Sequence, residues 1–140
     1  MSEGNKALVR KIEEYWDKQR LDDLDQNFAP DFDNKQNALP GVPSGLAGAK
    51  MVHHGNMKSF PDRKVEILDT LAEGDKVLVR TRVTGTNKGG FMGPPNNQPI
   101  NIESWGVYTI KNGKVVEHVG INDGFTLAIQ TGLLKLPAPS

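Results

Sequence analysis

Apolar residues at the start of the chain recur at helical spacing. Within residues 5–19, Leu8, Val9, Ile12, Tyr15, Trp16 and Gln19 fall at i, i+3/i+4 intervals. Lys6, Arg10, Lys11, Glu13, Glu14 and Asp17 take the other side, and Asn5 is placed to cap the helix. A second, shorter helix is expected over about 21–28, with Leu21, Leu24 and Phe28 on one face. Asp22, Asp23 and Asp25 lie near its start, where the helix dipole favours negative charge. Ala29-Pro30-Asp31 ends it. The segment from Phe32 to Ala38 is ambiguous, and a short strand is one reading. A third helix is expected over 46–60, although Gly48 and Gly55 each weaken it by about 1 kcal/mol relative to Ala.

The period then changes from 3.6 to 2. Val65, Ile67 and Leu71 alternate with Lys64, Glu66 and Thr70. After the turn Glu73-Gly74-Asp75, residues 76–86 form a β-branched run with Val77, Val79, Thr81 and Val83 on one face. Residues 87–98 read as a Gly/Pro/Asn-rich loop containing Phe91 and Met92. Residues 99–110 read as the next strand, with Glu103, Trp105, Val107 and Thr109 on one face. Lys111-Asn112-Gly113-Lys114 is a hairpin turn, and 115–122 the last strand. A short terminal helix over 124–134 and a Pro-containing tail complete the chain. About three helices followed by about four strands predict an α+β fold with an antiparallel sheet.

At 140 residues the chain has the size of one domain, residues 1–140, with no internal repeat or separating linker. Hydrophobic content of 36% and charged content of 24% suit a folded core. Lys plus Arg and Asp plus Glu are 17 each, so no basic excess points to nucleic acid or anionic lipid. Cysteine is absent, which excludes disulfides, thiolate nucleophiles and Cys-based metal sites. Met1-Ser2-Glu3-Gly4-Asn5 does not resemble a signal peptide, and no apolar run approaches the ~18 residues needed to span a membrane. A cytoplasmic location is the resulting expectation.

Chemistry concentrates in the closing stretch 114–125, which carries His118, Asn122 and Asp123. Asp123 stands directly before a helix, so it is either an acid/base group or an N-cap. His118 and Asp123 are five apart and face opposite sides of a regular strand. His118 is a candidate proton shuttle or a half-exposed rim residue. Adjacent His53 and His54 diverge by about 100° on a helix and make a poor metal pair. No spacing supports a metal, and one of the two can reach a pocket. Tyr15 and Trp16 are core or pocket residues. Trp105 is pocket lining or dimer-face packing, Phe91 and Met92 fit a lid, and Asn34 is a turn residue or a carbonyl donor.

The order of several blocks resembles the SnoaL-like polyketide cyclases and ester cyclases of the nuclear-transport-factor-like superfamily. The blocks are Ala7-Leu8-Val9-Arg10 through Glu14-Tyr15-Trp16, and Asp22-Asp23-Leu24-Asp25 through Phe28-Ala29-Pro30-Asp31-Phe32. Ser59-Phe60-Pro61-Asp62, Ala72-Glu73-Gly74-Asp75-Lys76-Val77, Thr84-Gly85-Thr86 and Gly90-Phe91-Met92-Gly93 follow. Gly113-Lys114-Val115-Val116-Glu117-His118 and Asp123 complete the series. The resemblance implies a curved sheet around helices, a cone with a mostly apolar pocket, and intramolecular aldol chemistry without metal or cofactor. It also implies an acid on or just after the last strand, and dimerisation through the outer sheet face.

Many relatives follow Glu-His with an aromatic residue and an acid, where this chain has Val119-Gly120, so the acid left nearby is Asp123. Relatives often carry a His soon after the Pro-Asp-Phe block, where this chain reads Asp33-Asn34-Lys35-Gln36. The expected function is a cofactor-independent, lyase- or isomerase-type enzyme acting on an apolar carbonyl compound, with Asp123, His118 and Asn34 at the chemistry. Tyr15, Trp16, His53, Phe91, Met92 and Trp105 would hold the substrate. Alternatives are a non-catalytic module binding a lipophilic metabolite, and an epoxide hydrolase of the same superfamily. The latter would draw on Asp69, Arg80 and Arg82.

Overall fold

The computed structural model describes residues 2–35 and 40–139. Residues 36–38 of the ambiguous 32–38 segment lie outside the described residues. The chain runs α1 (Ser2–Asp17), a 3₁₀ segment (Leu21–Asn27), β1 (Phe28–Asn34) and α2 (Gly45–Ser59). It continues through β2 (Lys64–Glu73), β3 (Lys76–Thr86), β4 (Pro99–Lys111), β5 (Lys114–Asn122) and α3 (Gly124–Gln130). The fold is α+β, as the change of period predicts.

The five strands form one open sheet in the order β1-β5-β4-β3-β2. β2 through β5 pair antiparallel, as consecutive hairpin-linked strands do. The Asn112-Gly113 turn takes positive φ at both residues, 53° and 74°, the signature of a tight two-residue hairpin. β1 resolves the ambiguous segment as a strand at least to Asn34. It pairs parallel with β5, so the sheet is mixed rather than wholly antiparallel. Bulges between Ile67 and Asp69 and between Thr109 and Ile110 bend the ladder.

Alternation along β3 and β4 sends Val77, Val79, Thr81, Val83, Ile102, Tyr108 and Ile110 inward. α1 buries Val9, Ile12 and Tyr15 against this face. Phe28 and Phe32 from β1 meet edge to face at 4.7 Å in the same core. The helices leave space between themselves and the sheet beyond this packed region, and that space is the candidate site. The segment that leads into α2 crosses back over the helix at Gly48. A Cβ there would stand 1.7 Å from the Pro43 carbonyl oxygen and 3.1 Å from Val42 Cγ1, so the close approach requires glycine.

Gly55, on the same helix, has open space where a side-chain methyl would stand, with no atom within 4 Å. Gly48→Ala should therefore destabilise the protein by about 1–3 kcal/mol through overpacking. Gly55→Ala should stabilise it by about 0.5–1 kcal/mol through helix propensity. Urea unfolding of the two variants checks the opposite signs.

Candidate functional site

A cavity of about 580 Å³ lies between the inner sheet face, α1 and α2. Its apolar walls include Trp16, Phe28, Phe32, Val52, Val65, Val79 and Val83. Glu13, Arg63, Tyr108, His118, His53 and Asn34 bring polar groups into it. Such a lining, apolar with a few convergent polar groups, is typical of a small-molecule site.

Glu13 enters the cavity because it shares the i, i+4, i+7 stripe of Val9 and Trp16 on α1. The Tyr108 hydroxyl, from the inner face of β4, donates to Glu13 Oε1 at 2.9 Å. Burial pushes the Glu13 carboxyl above the ordinary glutamate value, while the Tyr108 bond and the Arg63 charge pull it partly back. Burial and the neighbouring Glu13 raise the Tyr108 phenol well above its usual value, so it serves as a neutral donor. Arg63 follows α2 and lines the same space, with its charge felt by Glu13, Asp17 and His53. Asp17 is already engaged, its Oδ1 accepting the Val65 N–H at 2.8 Å at the start of β2.

β5 presents His118 and Asn122 to the cavity, and the register sets Asn34 of β1 beside His118. The His118 ring packs 4.5 Å from the Tyr108 ring and lies over Gly106 of β4. A Cβ at 106 would stand 2.6 Å from His118 Nε2, so glycine makes room for the imidazole. Desolvation depresses the His118 pKa to about 4, and the ring is neutral near pH 7. His53 is similarly depressed to about 4, by burial first and then by the Arg63 charge. Its Nε2 meets Gln19 Oε1 at 2.8 Å, and its ring lies 5.1 Å from Trp16. Gln19 Nε2 donates to the Trp16 carbonyl, which leaves Oε1 to accept and makes Nε2 the protonated nitrogen of His53.

Five of the nine sequence-predicted residues thus border the cavity: Asn34, His118, Trp16, His53 and Trp105. Trp105 does so between Ser104 and Gly106, but its indole is 45% exposed and packs 5.7 Å from the Arg80 guanidinium. The other four stand apart. The Asp123 carboxylate caps α3, accepting from the Thr126 N–H at 3.1 Å and the Thr126 hydroxyl at 2.7 Å. These bonds hold it below its ordinary pKa, ionised and exposed, outside the cavity lining. Strand parity explains this: β5 turns Asn122 inward and Asp123 away. Tyr15 belongs to the packed core, with Arg20 5.0 Å from its ring. Phe91 packs on Phe60 at 5.8 Å, and Met92 is 79% exposed; neither lines the cavity.

Three functional candidates escape sequence reasoning: Glu13, Tyr108 and Arg63. Only Glu13 carries a signal, its place in the stripe of Val9 and Trp16. Lys35 forms an ion pair with Glu117 at 3.0 Å. The arginine–carboxylate group Asp69–Arg80–Glu103 sits with Trp105 on the other sheet face, and none of its charged side chains lines the cavity. Among the described residues no group of three His, Asp or Glu side chains is arranged to hold a metal ion.

Two neutral, desolvated imidazoles give a pH dependence. With folded values of about 4 against an unfolded 6.5, their contribution is complete above pH 6.5 and is lost as pH falls toward 4. Their contribution is partly offset by Glu13, whose raised pKa acts in the opposite direction. Stability measured by urea unfolding should fall between pH 6.5 and 4, and His118→Gln should flatten that fall.

The comparisons agree with this geometry. The model of the family described as SnoaL-like polyketide cyclase matches residues 6–131. No curated protein matches the chain in a sequence comparison. Among solved structures, AclR from Streptomyces galilaeus, a candidate hydroxylase, is 28% identical with a TM-score of 0.82, covering 96% of this chain and 100% of its own. IdmH from Streptomyces antibioticus, a candidate polyketide cyclase, is 26% identical with a TM-score of 0.80, covering 91% and 98%. A candidate polyketide cyclase from Bacillus cereus is 26% identical with a TM-score of 0.81, covering 94% and 83%. With its helices, sheet and cavity in place and the family's pattern running through nearly all of its length, the chain belongs to the SnoaL-like polyketide cyclase family.

Proposed function

We propose that the protein is a cofactor-independent enzyme that cyclises or isomerises an apolar carbonyl compound, with Glu13 as its acid/base group. The observation that carries this is the Glu13 carboxyl, partly desolvated in a cavity with apolar walls and bonded by the Tyr108 hydroxyl at 2.9 Å. A carboxylate whose pKa is raised is a stronger base, and once protonated it remains an acid closer to neutral pH. For an aldol closure, Glu13 takes a proton from the carbon next to one carbonyl. The resulting enolate carbon attacks a second carbonyl of the same molecule and forms the carbon–carbon bond. The alkoxide so produced recovers the proton from Glu13. Neutral His118 and Asn34 face the same space as carbonyl donors, and the walls hold a flexible chain near its reactive fold.

The family assignment and the cavity support this chemistry, and they support a bound metabolite equally; turnover separates the two. Wild-type protein should cyclise a linear poly-β-carbonyl substrate, and Glu13→Gln should lower kcat at least about 100-fold with substrate binding retained. Asp123→Ala should leave kcat within a few-fold while costing about 1 kcal/mol of stability through the lost cap. Full activity in Glu13→Gln would assign the acid elsewhere. Binding without turnover in the wild type would make the protein a carrier.

The proposal extends to a homodimer through the outer sheet face. Leu71, Trp105, Val119 and Ile121 are exposed there on neighbouring strands, an apolar surface typical of an interface. Sedimentation should show a dimer, and Ile121→Arg should shift it toward monomer.

A further inference from the structure

The cavity holds one arginine and no lysine among its lining residues. Arg63 is partly buried in its wall, near Glu13, Asp17 and His53. Among the described residues its guanidinium forms neither an ion pair nor a hydrogen bond. One oxygen of each neighbouring carboxyl is engaged elsewhere: Glu13 Oε1 accepts from Tyr108 and Asp17 Oδ1 accepts from the Val65 amide. The two cavity histidines are neutral near pH 7, so neither adds a second cation to the cavity. Glu13 and Asp17 act on the Arg63 charge, but neither carboxyl stands within ion-pair distance of it among the described residues. A guanidinium so placed offers a planar fork of donors that matches a carboxylate, and its partial burial strengthens that pairing relative to open solvent. The apolar walls opposite suit a hydrocarbon or aromatic body.

We propose that Arg63 is the anchor for an anionic oxygen pair, so that the ligand is an amphiphilic carboxylate with an apolar body rather than a neutral lipophile. The anchor fixes one end of the molecule and leaves its remainder along the cavity walls near Glu13 and His118. This rests on the cavity's being the substrate site. It adds the class of substrate and a binding residue that contributes charge and orientation.

Binding of non-reacting probes tests it independently of any turnover. Decanoate and decanamide, and 2-naphthoate and 2-naphthamide, are compared at pH 7 by calorimetry on the full chain. Each acid should bind at least about tenfold more tightly than its amide, the factor one good charge-assisted contact supplies. Arg63→Gln should abolish the difference while leaving the amides within about twofold, and Arg63→Lys should retain part of it. Glu13→Gln should keep the preference for acids even where it ends turnover, so failure of the acid/base assignment is separable from failure of the anchor. Acids binding no better than amides in the wild type overturn the proposal, as does a panel in which nothing binds. So does an Arg63→Gln protein that loses acids and amides alike.

Discussion

The structure of the site depends on one carboxyl group partly withdrawn from water. Glu13 projects from α1 into a cavity whose apolar walls are built chiefly from valine, phenylalanine and tryptophan, and its partner is a phenol from β4. An ionised carboxylate in such surroundings loses hydration that a single neutral donor replaces only in part. Burial therefore outweighs both the Tyr108 bond and the Arg63 charge, and the proton is held more tightly than on a solvated glutamate. The same bond ties the first helix to the centre of the sheet, so packing and chemistry share one contact.

The rest of the architecture keeps that carboxyl accessible to a ligand while limiting its hydration. α2 and the segment that crosses it at Gly48 stand over the cavity. The absence of a side chain at Gly106 lets the His118 ring lie beside Tyr108 instead of being pushed off the sheet. Desolvation keeps His118 and His53 neutral, which leaves Arg63 as the cavity's cation near neutral pH. The outer sheet face is a different environment. Its charges, Arg80 and Arg82 with Asp69 and Glu103, pair with one another, and its apolar residues are exposed between strands.

Local physics makes the fold legible in the sequence. The stripe of Val9, Ile12 and Trp16, the alternation from Val77 to Val83 and the Asn112-Gly113 turn each act over a few residues. β1 is ambiguous from sequence because half of its residues are polar, and its pairing with β5 joins segments more than eighty residues apart. The site is less legible for the same reason. Strand parity rightly separates His118 from Asp123, and a helix-capping position explains Asp123 without any cavity. Glu13 reads as one acid among several on the polar side of α1. Its helical spacing from Val9 and Trp16 hints at an inward position, and its partner Tyr108, 95 residues away, completes the distinction from Glu14, which forms a solvent-exposed ion pair with Lys18. Arg63 carries no local pattern at all, because its significance comes from the burial created by elements on both sides of it.

The protonation of Glu13 can be observed without any substrate. An NMR titration of its side-chain carboxyl carbon, in wild type and in Tyr108→Phe, tests the central claim most directly. The wild-type midpoint should lie above that of an ordinary glutamate, and loss of the phenol donor should raise it further, because the Tyr108 bond favours the ionised form. A midpoint at or below the ordinary value would show a carboxylate that stays hydrated or ion-paired, and would contradict Glu13 as the buried acid/base group.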